Sequence, residues 1–211
     1  MSRIQAVCFD LDGTLYDLKK QRRKLWKWML RHPFVLSAWQ KETAAMRGVR
    51  SQNIHGDIAE AVAEKTRISP NDAQSIIQKV IFEEYPATFS PKDLLPGLSA
   101  LFHELDRRGM HRAVVSDHPT DAKLRGLGQL DGWTCRVDCS GLGALKPLPD
   151  GLEVVAKHLE CKTSELILIG DRMDTDWEMA KAAGALPLIR GSDWSTGKEL
   201  ADLVLHHLDH E

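Results

Sequence analysis

Cysteines, long apolar runs and net charge are all scarce in this chain, and each scarcity removes a class of protein. The four cysteines, Cys8, Cys135, Cys139 and Cys161, form no CxxC pair and fall far below the density of a disulfide scaffold. Free thiols in a reducing compartment are expected. No apolar run approaches the roughly 18 residues of a membrane helix. The first apolar segment, Ile4 to Phe9, is too short for a signal peptide and opens straight into acidic residues, so a cytoplasmic protein is expected. Net charge is −2 over 211 residues, and no nucleic-acid-binding motif accompanies it. With 43% hydrophobic and 27% charged residues, the chain reads as one globular domain, or one domain carrying a sizeable insertion.

The small net charge hides an uneven distribution. Between Tyr16 and Asp93 there are fourteen Lys and Arg against nine Asp and Glu, and the basic residues concentrate in "KKQRRKLWKWMLRH". A helix carrying such a run is usually a solvated face. The functional alternative is a positive surface that draws in an anionic substrate. Trp26, Trp28 and Trp39 are expected to pack between helices rather than to form a substrate platform.

Periodicity divides the chain into three parts. "IQAVCF" is a short apolar, β-branched run and reads as a buried strand. For the next eighty or so residues the pattern is helical. Leu18, Leu25, Trp28 and Met29 are spaced for one helix face, "DIAEAVAEKTRI" predicts another helix, and "SPNDAQSIIQKVIFEEY" a third, with Ser69 as N-cap and Pro70 at the first helical position. From Pro96 helices and strands alternate. "GLSALFHELDRRG", "TDAKLRGLGQL", "GLEVVAKHLE" and "TDWEMAKAAG" predict helices; "HRAVVSD", "WTCRVDCS", "ELILIGD" and "ALPLIRG" predict strands. That alternation implies βαβ units and a parallel sheet, with ligands at the carboxyl ends of the strands.

Polar residues suited to one reaction gather at those strand ends. The first strand runs into Asp10 and Asp12, followed by Gly13 and Thr14; the second ends in Ser116 and Asp117; "ELILIG" ends in Asp171; and Lys146 lies in the loop "GLGALKPLPD". Asp10 and Asp12 are two apart on an extended backbone, so their side chains leave the same side of the chain until Gly13 permits a turn. With Asp171 they make an all-oxygen site of the kind Mg²⁺ prefers. A carboxylate attacking a phosphate anion needs nearby positive charge, which Lys146 can supply, while Ser116 and Thr14 can hydrogen-bond phosphoryl oxygens. A second carboxylate can protonate the leaving oxygen and then activate water.

The chain resembles the haloacid dehalogenase-like hydrolases. "DLDGT" at residues 10 to 14, the Ser116 strand end, Lys146 with Pro147, and "GDRMDTD" at residues 170 to 176 match the family's four motifs in order. The resemblance is to the phosphatase branch with a helical cap after the first strand, phosphoglycolate phosphatases among them. It implies an α/β fold, a doubly wound parallel-sheet (Rossmann-like) three-layer core made of residues 1–15 and 95–211, with residues 16–94 as an inserted α-helical cap. It implies Asp10 as a nucleophile forming an aspartyl phosphate and Asp12 as general acid and base. Mg²⁺ would be held by Asp10, the main-chain carbonyl of Asp12 and Asp171, with Asp176 supporting the metal site or Lys146. Thr14, Ser116, Asp117 and Lys146 would meet the substrate phosphate. An aspartate at position 12 resembles the phosphatases and phosphomutases of the family rather than its dehalogenases. Asp117 departs from the asparagine that many members carry.

The expected activity is therefore Mg²⁺-dependent hydrolysis of a small phosphorylated metabolite, with no nucleic-acid or membrane partner. A phosphomutase and a non-catalytic phosphate-ligand-binding protein are the alternatives. Asp174 competes with Asp176 for the supporting role, Arg172 is expected to face solvent, and His118 to be a loop residue before Pro119. "LHHLDHE" at the end of the chain reads as a flexible cluster, at best an adventitious metal site. "GSDWSTGKE" fails as a P-loop, because Gly191 lies one residue too far from Gly197 and Glu199 replaces the required Ser or Thr.

Overall fold

A computed structural model describes residues 4–210. Five short strands form one parallel sheet: β1 (Ala6–Phe9), β2 (His111–Ser116), β3 (Cys135–Asp138), β4 (Leu166–Gly170) and β5 (Leu186–Ile189), in the order β3-β2-β1-β4-β5. β1 and β4 are buried at every position. A central parallel strand is covered on both faces, which is why these two read as unbroken apolar runs. Strand order reverses between β1 and β4, the switch point at which such sheets open a crevice beyond their carboxyl ends. Phe9 is level with Val114 on one side and Ile169 on the other. The residues just past these strands therefore emerge together.

The helices are α1 (Leu18–Arg22), α2 (Trp26–Arg31), α3 (Pro33–Ala45), α4 (Ile54–Thr66), α5 (Pro70–Ile77), α6 (Leu98–Arg107), α7 (Asp121–Gly126), α8 (Asp150–His158), α9 (Glu178–Ala183) and α10 (Gly197–Asp209). α6 packs with α10 and β2, while α8 packs with α9, β2 and β3, so helices cover both sides of the sheet. This is the doubly wound, Rossmann-like arrangement expected from the alternation of elements. The four cysteines are free, Cys8 and Cys139 being buried. No described helix is long and apolar enough to cross a membrane.

Between β1 and α6 the chain builds a helical segment of its own. α3, α4 and α5 pack on one another around Leu36, Ile58, Val62 and Ile77. Ser69 caps α5 by accepting from the Asp72 amide at 3.1 Å, and the helix runs on into a π-helical turn, Gln78–Glu84. The chain leaves and re-enters the sheet side by side: Tyr16 bridges Leu94, and the Leu95 amide donates to the Leu15 carbonyl at 2.9 Å. Lys24 ties the two passages together, donating to the Thr88 carbonyl and to Asp93, both at 2.9 Å.

Three expectations are corrected. The stretch containing Leu18, Leu25, Trp28 and Met29 is not one helix but α1, a 3₁₀ turn (Arg23–Leu25) and α2, and Met29 is exposed. Trp26 is also exposed, whereas Trp28 is half-buried and donates to Glu84. The C-terminal histidines are not a flexible tail, since His206 and His207 belong to the last turn of α10. Its start explains the failed P-loop: Thr196 accepts from the Glu199 amide at 3.2 Å and Glu199 accepts from the Thr196 amide at 3.2 Å, a capping box.

Candidate active site

A cavity of about 240 Å³ lies at the carboxyl ends of β1, β2 and β4, and its floor is charged. Asp10 follows β1 directly, with its amide bonded to the Ile169 carbonyl at 2.8 Å. Its carboxylate is almost fully buried, with Lys146 Nζ 2.6 Å from Oδ1 and the Thr14 hydroxyl donating to Oδ2 at 3.0 Å. Lys146 also holds Asp176, at 2.7 Å. The same ammonium thus connects the loop after β3, the end of β1 and the turn after β4.

Gly13 lets Asp171 come this close. Its φ of +105° favours glycine, and a Cβ there would stand 2.1 Å from Asp171 Oδ2. Gly170 does the same for Asp176, whose Cβ would be 2.3 Å from an added methyl. Past β4 the chain makes a π-helical turn, Met173–Trp177, in which the Asp176 and Trp177 amides both donate to the Arg172 carbonyl. That turn folds Asp176 inward, where its Oδ2 accepts from the Asp171 and Arg172 amides, each at 3.2 Å. Asp174 points out to pair with Arg172.

Asp10, Asp171 and Asp176 each bring a carboxylate oxygen within 4.8 Å of the others. Burial pushes Asp10 well above the usual carboxylate range; the Lys146 charge opposes this, and Asp176 and Asp171 add to it. Asp171 is raised to about 6, by burial and then by Asp176. Lys146 stays charged, since Asp10 and Asp176 outweigh its burial. Three crowded acids therefore share one lysine. Asp171 Oδ1 is in addition buried without a hydrogen-bond partner. An unpaired hard oxygen beside surplus carboxylate charge suits a divalent cation.

Asp12 is turned the other way. Both of its oxygens accept from Lys123 Nζ, at 2.6 and 2.7 Å, and Tyr16 donates to Oδ1. Burial works to raise this carboxyl, but the Lys123 charge and the hydrogen bonds from Lys123 and Tyr16 hold it below its ordinary value. Its side chain stands apart from the three-carboxylate cluster.

Ser116 and Asp117 line the cavity from β2. Asp117 accepts from the Lys146 amide at 2.9 Å, and burial raises its carboxyl against the pull of Lys146. Thr14, expected among the phosphate-binding groups, is fully buried behind Asp10 and does not line the cavity.

Several lining residues carry no signal in the sequence. α3 turns Trp39, Gln40 and Thr43 toward the cavity, and Arg47 follows one turn later. Gln40, Thr43 and Arg47 follow one another at spacings of three and four, as one helix face requires, with Trp39 beside Gln40, but no chemical motif marks them. Thr43 Oγ1 and Arg47 Nε are buried there without partners. Trp39 therefore does not merely pack helices. His118 lies in the bend between β2 and Pro119, as expected, and is buried there, its ring 5.4 Å from that of Trp39. Burial depresses its pKa to about 3, with Lys123 helping. Of the basic run in α1 and α2, Arg22 lines this cavity, beside Leu18 at the start of α1; the other basic residues of the run do not line it.

The comparisons agree with this fold. At 24% identity over 174 residues, 80% of this chain and 75% of the relative, the sequence is similar to β-phosphoglucomutase of Bacillus subtilis. Its fold is similar to that of β-phosphoglucomutase from Clostridium difficile (TM-score 0.72, 17% identity, 98% of this chain and 97% of the other). It is also similar to an HAD phosphatase from Thermococcus onnurineus (TM-score 0.63, 18% identity, 95% and 98%). The haloacid dehalogenase-like hydrolase family matches residues 4–184, a span that begins ahead of β1 and ends after α9, taking in each of the four strand-end groups around the cavity. On that match the chain belongs to the haloacid dehalogenase-like hydrolases.

Proposed function

We propose that this protein is a Mg²⁺-dependent phosphatase that hydrolyses a small phosphomonoester through an aspartyl phosphate on Asp10. The observation that carries the reading is the environment of Asp10: a buried carboxylate at a strand end, fixed by Lys146 and Thr14, with the unpartnered Asp171 oxygen in the same cluster. Thr14 and Lys146 orient the carboxylate so that an oxygen can attack phosphorus as the bond to the leaving oxygen breaks. Asp12, brought to the cavity on the same loop, is held as the carboxylate by Lys123 and Tyr16; it takes up a proton from solvent as the ester binds and gives it to that leaving oxygen. Water then attacks the acyl phosphate and yields a proton back to Asp12, releasing phosphate and restoring Asp10. Lys146, Ser116 and the Arg47 guanidinium stabilise the phosphoryl charge.

The metal would be held by Asp10 and Asp171, with Asp176 behind them and the Asp12 main-chain carbonyl added as the resemblance implies. When bound, Mg²⁺ would offset the repulsion between the carboxylates and the phosphate. Residues 16–94 act as a cap over the site, contributing Arg22, Trp39, Gln40, Thr43 and Arg47. Closure excludes water and restricts the site to small substrates.

A phosphomutase is the second reading, favoured by the similarity to the two β-phosphoglucomutases. Incubation with a small phosphate ester separates the two. Stoichiometric release of inorganic phosphate supports the phosphatase, and conversion to an isomeric ester without release supports the mutase. Binding of esters with neither outcome would indicate a non-catalytic ligand-binding protein.

A further inference from the structure

Beyond Asp12 the catalytic cavity continues into a second chamber, of about 80 Å³. The two share Asp12, Leu18, Arg22, Trp39, Gln40 and His118 along their common boundary. Asp12, the group that would protonate the leaving oxygen, stands at the junction. A phosphate placed at Asp10 with its ester oxygen toward Asp12 directs the rest of the substrate into this second chamber.

Its inner walls are Leu25, Ile81, Phe82, Pro86, Pro119 and Ala122, with the Tyr85 ring. Aromatic edges meet there: Phe82 lies 5.8 Å from His118, and His118 5.4 Å from Trp39, centroid to centroid. Polar capacity is small. Lys123 is committed to both oxygens of Asp12. The buried polar atoms of the lining without a partner are His118 Nδ1 and the Tyr85 hydroxyl. Gln40 and Arg22 stand at the boundary. A ligand with one or two hydrogen-bonding groups can be satisfied here. A polyhydroxylated sugar cannot, and each stranded hydroxyl lowers affinity by about tenfold.

We propose that the leaving alcohol is compact and largely apolar, a single aromatic ring or a short branched chain bearing at most one or two polar groups, and not a sugar. This rests on the phosphatase reading above and names the substrate class of that site. An aromatic ring uses the chamber best, since Trp39, Phe82, Tyr85 and His118 offer both edges and faces to it.

The test compares esters whose leaving alcohols have similar basicity, so that chemical activation does not decide the ranking: benzyl phosphate, ethyl phosphate and glucose 6-phosphate, each with Mg²⁺. The expected kcat/KM for benzyl phosphate exceeds that for glucose 6-phosphate by about 100-fold, the scale on which an apolar pocket rewards a ring. Ala122→Phe, made from an exposed position on α7, narrows the chamber and should lower the benzyl-to-ethyl ratio of kcat/KM by about tenfold. Glucose 6-phosphate matching or exceeding benzyl phosphate, or an Ala122→Phe ratio equal to wild type, overturns the inference while the phosphatase stands. No phosphate release from any of the three overturns the phosphatase reading, and this one with it.

Discussion

Lys123 holds both carboxylate oxygens of Asp12, at 2.6 and 2.7 Å, across 111 residues of sequence. The bond joins α7 to the loop after β1 and keeps Asp12 out of the carboxylate cluster that surrounds Lys146. Two lysines thus divide the acidic groups, Lys146 beside the proposed nucleophile and Lys123 beside the proposed proton donor. Lys123→Met should lower kcat about 10- to 100-fold, by letting Asp12 leave its position, while KM changes less than threefold. An unchanged kcat would mean that Lys123 is only a structural contact.

Gly13 admits Asp171 to the site. In Gly13→Ala the new Cβ would lie 2.1 Å from Asp171 Oδ2, at a φ of +105° that a side chain rarely adopts. Asp171 must move and the backbone is strained by about 1–3 kcal/mol. Phosphate release should fall at least about 100-fold, as for groups positioned to within an ångström, while thermal unfolding shows a protein that still folds. Wild-type turnover would show that the position of Asp171 is irrelevant.

Much of this site is legible in the sequence, because each strand end carries a group whose chemistry is recognisable alone: Asp10, Ser116, Lys146 and Asp171 all line one cavity. The strands themselves were readable for a related reason, since a buried parallel strand is an apolar run with a sharp polar end. The lining from α3 was not readable. Trp39, Gln40, Thr43 and Arg47 meet at one cavity, and a Trp, an amide, a hydroxyl and a guanidinium do not make a motif. Lys123 was hidden in the same way, in the middle of a short helix whose partner lies on a distant loop. Thr14 reads in the sequence as a group for the substrate phosphate, and only the fold shows that its hydroxyl is spent on the Asp10 carboxylate.

Asp93 links the return of the chain from the helical segment to the 3₁₀ turn after α1. Burial works to raise this carboxyl, but hydrogen bonds from Lys24 and Ser90 outweigh it and hold its pKa at about 2. Its folded pKa is therefore depressed, so its stabilisation is complete above the ordinary carboxylate range and is lost as pH falls toward 2. Asp93→Asn should lower Tm at pH 7, by an amount matching about 1–3 kcal/mol for a charged hydrogen bond. The difference from wild type should shrink between pH 4 and pH 2. A Tm difference independent of pH would remove the charge from the explanation.

Metal binding has a readout that does not depend on turnover. A ligand that binds only the folded protein stabilises it, by about 2.7 kcal/mol at a hundred times its Kd. Mg²⁺ should therefore raise the Tm of wild type, and the rise should vanish in Asp171→Asn, which loses a charged ligand. Equal shifts in both proteins would mean that Mg²⁺ binds elsewhere.

The central claim is that Asp10 attacks phosphorus. It is tested most directly by measuring phosphate release from small phosphate esters with wild type and Asp10→Asn side by side, each with Mg²⁺ and with EDTA. The account predicts release by wild type in Mg²⁺ alone, with Asp10→Asn folded and at least about 1000-fold slower. Release by Asp10→Asn at a rate near wild type would contradict it.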